Sequence, residues 1–190
     1  MKIGITGGIG SGKSYVCDII KKQGFPVFNC DNRAKQLMVE NEDIKQQIIN
    51  VIGPDAYTED GKLNKTVISQ FIFASKENQD KINAIVHPVV IKEFEEWADE
   101  QFANLVFIES AILFEAGLRD KVDKVIEVYA AEEIRINRTI KRDHITRDEV
   151  KAIMNAQLNE TVKMKLSDYC IINNGNIDIL QQLKSIKFHK

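Results

Sequence analysis

Hydrophobic residues along this chain gather into short unbroken runs, separated by longer stretches where they recur at helical spacing. Five runs read as strands: Lys2–Thr6 (KIGIT), Pro26–Asn29 (PVFN), Leu105–Ile108 (LVFI), Lys124–Tyr129 (KVIEVY) and Tyr169–Ile172 (YCII). None alternates cleanly, as expected of parallel strands covered on both faces. After the first run, Val16, Ile19 and Ile20 mark one side of a helix, and Gly24 is placed to end it. Strands alternating with helices predict a doubly wound α/β fold with a five-stranded parallel sheet.

Two intervals are too long for a simple crossover. About 75 residues separate the second and third strands. They are mostly helical in pattern, with a turn at Glu59-Asp60-Gly61. The expected organisation is therefore a core of residues 1–31, 105–130 and 168–190, a helical insertion over 32–104, and a helical lid over 131–167. Trp97, Phe71 and Phe73 are expected to pack the insertion. The lid carries Arg135, Arg138, Lys141, Arg142 and Arg147 against Asp143 and Asp148.

Composition narrows the function classes. The chain has 190 residues, with 26 Lys and Arg against 28 Asp and Glu, a net charge of −2. No global basic field argues for nucleic acid. The three cysteines are scattered and form no CxxC pair, so neither a zinc site nor a disulfide framework is indicated. No apolar run approaches the roughly 18 residues that span a bilayer. The core strand at the very start leaves no room for a signal peptide, and a cytoplasmic monomer or weak homo-oligomer is expected.

The chemistry begins at Gly7-Gly8-Ile9-Gly10-Ser11-Gly12-Lys13-Ser14, which matches the phosphate-binding P-loop. It lies between a strand and a helix, the context the motif requires. Glycines let backbone N–H groups turn inward onto phosphate oxygens, and the helix N-terminus adds its own. Lys13 places an ammonium at the β- and γ-phosphates, and the Ser14 hydroxyl is placed to ligate Mg²⁺. A nucleoside triphosphate site follows.

Other residues admit two readings each. Asp31 follows the second strand and is either a general base for a substrate hydroxyl or the N-cap of a helix starting at Asn32; one residue can be both. Arg135, Arg138 and Arg142 share a helix face and either neutralise a moving phosphoryl group or form a solvated basic face. Glu109, ending the third strand, holds Mg²⁺ through water or is a strand-end charge. His87-Pro88 reads as a helix entry with Pro88 at the first helical position. Asn173-Asn174-Gly175 is a turn, or a contact to adenine.

Six ordered segments together resemble the dephospho-CoA kinase family. They are KIGITGGIGSGKS, VFNCD, INAIVHP, IESAILFEAGL, RTIKRDHITRDEV, and AQL followed by SDYCIINNG. The resemblance implies a P-loop kinase sheet and ATP- and Mg²⁺-dependent phosphorylation of the ribose 3′-hydroxyl of dephospho-CoA. It maps the base onto Asp31, lid arginines onto Arg138, Arg142 and Arg147, and closing positions onto Gln157, Asp168 and Asn173. The implied catalytic set is Lys13, Asp31 and Arg138. The implied nucleotide contacts are Gly8, Gly10, Ser11, Gly12, Lys13, Ser14, Tyr15, Arg142 and Asn173. Substrate contacts fall on Asp31, Lys35, His87, Leu113, Phe114 and Glu115, and metal contacts on Ser14 and Glu109. The chain departs from the family pattern at Tyr15 (usually Thr), Asn29, Cys30, Lys35 (usually Arg) and Ala111 (usually Pro). Lys35 keeps the charge but loses bidentate phosphate geometry.

Overall fold

The computed structural model describes residues 1–188, so His189 and Lys190 of the expected core lie outside the described residues. Two compact units emerge, one of Met1–Asn29 with the chain from Ala98 onward, the other of Cys30–Trp97.

The first unit is built on five parallel strands: β1 (Lys2–Thr6), β2 (Val27–Asn29), β3 (Val106–Glu109), β4 (Lys124–Tyr129) and β5 (Tyr169–Ile172). Their order is β2-β3-β1-β4-β5. The register sets Ile5 beside Glu109, Asn29 beside Glu109, and Thr6 beside Glu127. Strand β1 is thus central and flanked on both sides, which explains why Ile3 and Ile5 are fully buried. They pack with Val16, Cys17, Ile20, Phe107, Ile126, Val128 and Ile171 in one core. Helix α1 (Lys13–Lys22) leaves the loop after β1 and ends as expected, with Gly24 in the left-handed region just past it. Helices α6 (Glu132–Asp143), α7 (Arg147–Ala156) and α8 (Glu160–Leu166) follow β4, and α9 (Ile179–Ser185) follows β5. A capping box, Thr146 with Glu149, starts α7. Among the described residues no helix is long and apolar enough to cross a membrane.

The second unit holds α2 (Cys30–Glu40), α3 (Glu42–Ile52), α4 (Lys65–Ala74) and most of α5 (Lys76–Asp99). The turn at Glu59–Gly61 is present, and Tyr57 beside it donates its hydroxyl to the Met38 carbonyl at 2.6 Å. Three expectations need correction here. Cys30 enters α2 directly from β2 with no intervening loop, so Asp31 stands at the second helical position and is not the N-cap. Pro88 lies inside α5 and does not open a helix. A proline there removes one backbone hydrogen bond, yet Ile82, Val86, Val90 and Phe94 repeat every fourth residue and are all buried. That stripe supplies the packing that carries the helix through. Phe73 is 62% exposed and does not pack the unit, whereas Phe71 and Trp97 are half-buried.

Candidate active site

The phosphate loop is shaped by glycine and held by side chains from distant parts of the chain. Gly10 and Gly12 adopt φ of 77° and 93°, in the left-handed region. A Cβ on Gly10 would lie 2.3 Å from the Arg135 carbonyl oxygen, and one on Gly12 would lie 2.2 Å from Asn173 Nδ2. Neither position admits a side chain. Asn173 Nδ2 donates to the Ser11 carbonyl at 2.8 Å, and the Ile9 N–H donates to Gln157 Oε1 at 2.9 Å. Arg135 Nε donates to the Ile9 carbonyl at 2.9 Å. Lys13 Nζ folds back onto the loop, donating to the Gly7 carbonyl at 2.7 Å.

Glu109 lies under the first turn of α1. Ser14 Oγ donates to one of its oxygens at 3.0 Å, and Asn29 Nδ2 to the other at 2.6 Å. The Cys17 thiol also bonds to it; burial and then the nearby carboxylate push that thiol well above its ordinary pKa, so it stays a protonated, unreactive donor. Three donors therefore fix one nearly buried carboxylate next to the Ser14 hydroxyl. Both groups offer hard oxygen donors, the chemistry that Mg²⁺ takes. Among the described residues no group of three or more His, Cys, Asp or Glu forms a metal cage. An ion here would complete its shell with phosphate oxygens and water.

The arginines of α6 divide. Arg135 is 3% exposed, paired to Glu160 at 3.1 Å, and supports the loop. It is therefore not part of a solvent-facing row. Arg138 reaches toward the Ser11 carbonyl at 3.5 Å, long for a hydrogen bond. Arg142 is exposed and paired with Asp143 at 2.7 Å, and Arg147 pairs with Glu133. Tyr15, on the first turn of α1, is exposed. Glu115 accepts from the Leu158 N–H at 2.7 Å, and Phe114 is half-buried. Asp168 accepts from the Val125 N–H at 2.9 Å, a strand-entry contact remote from the loop end of the sheet.

Leu113 corrects another expectation. It is fully buried beneath β1, where a Cβ on Gly4 would meet Leu113 Cδ1 at 2.5 Å. A side chain so placed is a core residue and not a substrate contact. Leu113→Ala is expected to cost about 2–5 kcal/mol of stability, measured by denaturant unfolding, and to leave the KM values of the folded fraction unchanged. A changed acceptor KM at intact stability would return Leu113 to the site.

In the second unit, Asp31 and Lys35 are four residues apart on α2 and so share a face. Burial holds the His87 imidazole below its ordinary pKa, partly opposed by the Asp31 carboxylate. Arg33 grips Glu93 with two nitrogens at 2.5 and 2.8 Å, tying α2 to α5.

A family model described as Dephospho-CoA kinase matches residues 1–178. The chain belongs to the dephospho-CoA kinase family. A dephospho-CoA kinase of Porphyromonas gingivalis is 40% identical over 172 residues, covering 90% of this chain and 85% of that protein. A crystal structure from Thermus thermophilus superposes with a TM-score of 0.85 at 31% identity, over 97% of this chain and 94% of that one. The dephospho-CoA kinase of Campylobacter jejuni shares the fold, at a TM-score of 0.65 and 24% identity over 93% and 90% of the two chains. Two contacts in the site are not evident from the sequence. Asn29 registered only as a departure from the usual Asp, yet its amide reaches Glu109. Arg135 read as one more lid cation, and only the fold shows that it faces the loop backbone. Its spacing alone held no signal for that.

Proposed function

We propose that this chain transfers the γ-phosphoryl group of ATP to the ribose 3′-hydroxyl of dephospho-CoA, giving CoA and ADP. The observation that carries this reading is the latched P-loop, with Ser14 closed against Glu109, in a chain of this family. Loop N–H groups and Lys13 hold the β- and γ-phosphates. Ser14 and Glu109 would hold Mg²⁺, which when bound neutralises charge on the phosphate oxygens.

The 3′-oxygen forms a bond to the γ-phosphorus while the bond from phosphorus to the departing ADP oxygen breaks. Asp31 orients the hydroxyl and takes its proton. Its support is its carboxylate, its position two residues after Asn29, and the family motif it matches. Lys35 and His87, on the same unit as Asp31, bind the acceptor; the acceptor role of Phe114 and Glu115 is supported by the family motif they match. Helices α6 to α8 serve as a lid whose closure excludes water and so limits ATP hydrolysis. Three free cysteines suit a reducing cytoplasm.

Arg138 stabilises charge on the transferred group. Arg138→Ala is expected to lower kcat more than it raises KM for ATP, read from steady-state kinetics in both substrates. A change confined to KM would make Arg138 a ground-state contact.

The reading itself is tested with purified protein and Mg·ATP, following ADP release with and without dephospho-CoA and weighing the product. A product one phosphate heavier, with the 3′ position assigned by NMR, supports it. No stimulation by dephospho-CoA in a folded, ATP-binding protein rejects it.

A further inference from the structure

Beneath the phosphate loop a fully buried carboxyl group faces a half-buried one, and the transfer chemistry uses neither. Glu127 stands on β4 beside Thr6, the residue that leads into the loop, and its side chain is fully buried. Neither of its oxygens has a hydrogen-bond partner, and neither does Glu160 Oε2. The two carboxyl groups face each other across β4 and α8. Two ionised carboxylates can only accept, so as anions they leave three buried oxygens unsatisfied. One proton on Glu127 changes this, because its O–H then donates to Glu160.

Glu160 has a second task. Its Oε1 pairs with Arg135 Nη1 at 3.1 Å, and Arg135 Nε holds the Ile9 carbonyl at 2.9 Å. The same guanidinium lies behind Gly8, where an added Cβ would come within 2.2 Å of Nη2. A continuous path therefore runs from Glu127 through Glu160 and Arg135 to the loop backbone.

We propose that Arg135 is a positioning residue for the phosphate loop, held in register by a proton that Glu127 and Glu160 share. This role presupposes that the loop binds ATP. The proton is retained near neutral pH because burial, and then the Glu160 charge, push the Glu127 carboxyl up to about 8. Lys163 on α8 and Lys13 on α1 oppose this, and Cys170 on β5 also faces the group. Lys163 is engaged elsewhere, donating to the Ala111 carbonyl at 3.0 Å. Losing the proton sets a buried anion against the Glu160 carboxylate, so that Glu160 and the Arg135 it holds shift from under Ile9. The loop then grips phosphate less well.

The test compares the unaltered protein with Glu127→Gln, whose neutral amide can still donate to Glu160. Affinity for Mg·ATP is measured by calorimetric titration between about pH 7 and about pH 9, on either side of the Glu127 value. The unaltered protein should lose affinity on the order of fivefold across that range. Glu127→Gln should lose markedly less. Titration of ATP itself is common to both proteins and cancels in the comparison. An infrared carbonyl band of a protonated carboxyl should be present near pH 7, fade as pH rises through about 8, and be missing from Glu127→Gln. Identical pH dependence in the two proteins, or no such band, overturns the assignment. Should Glu127→Gln fail to fold, Glu160→Gln replaces it. Removing the neighbouring charge should move the loss of the band to lower pH, and an unmoved band overturns the assignment equally. These readouts need no acceptor, so absence of transfer to dephospho-CoA would reject the proposed reaction and leave this assignment to be judged separately.

Discussion

Lys13→Ala is expected to reduce phosphoryl transfer by on the order of 10²-fold or more. The ammonium is one of few fixed positive charges able to meet the β- and γ-phosphates, and no other side chain on the loop substitutes for it. Lys13 Nζ also donates to the Gly7 carbonyl at 2.7 Å and more weakly to Gly8 at 3.4 Å. Alanine removes those bonds too. Each is worth about 1 kcal/mol net, so a thermal melt recorded beside the kinetics should fall only slightly. A large kinetic loss with a nearly unchanged melt assigns the effect to phosphate. Retention of more than about a tenth of the turnover would show that the loop amides alone suffice.

Asp31→Asn is the second large effect. An asparagine keeps the shape of the side chain and its place in the first turn of α2, but it cannot take a proton. Turnover at saturating substrates should drop by roughly 10²- to 10⁴-fold, with KM for ATP little changed. Because α2 begins at Cys30, Asp31 does not cap the helix, and its replacement should not unravel the first turn. The kinetic loss can then be read as chemistry. Near-normal turnover would remove Asp31 from the base role and direct attention to His87, whose imidazole burial keeps largely neutral.

Much of the fold was legible because parallel strands in a covered sheet are short and apolar, and turns between them carry glycine. All five strands lie where the apolar runs place them, within a residue at the ends. The P-loop was legible for a different reason: its residues are contiguous, so their chemistry can be read from one line of text. What escaped was non-local. Pro88 reads as a helix start because proline favours first turns, and only the burial of Ile82, Val86, Val90 and Phe94 together explains why α5 passes through it. Leu113 resembles a ligand contact because it lies in a family motif, whereas its side chain packs against Gly4, about a hundred residues earlier. Glu127 sits in an otherwise apolar strand with no sequence neighbour to satisfy it; its partner is contributed by α8. The assignment of Asn29 to Glu109 depends on strand register, which no spacing within either segment encodes.

The way the phosphate loop is latched also bears on how the chain is made. Residues 7–14 leave the ribosome before every group that shapes them. Glu109 follows after the whole Cys30–Trp97 segment, Arg135 and Gln157 later still, and Asn173 last of the four. Strand β1 also waits, since both its neighbours, β3 and β4, are synthesised after that segment. The Cys30–Trp97 unit is one unbroken stretch and can gather its own contacts in the meantime. A nascent chain halted before Glu109 would thus display a glycine-rich loop with none of these supports, and full nucleotide affinity should appear only after Asn173 has emerged.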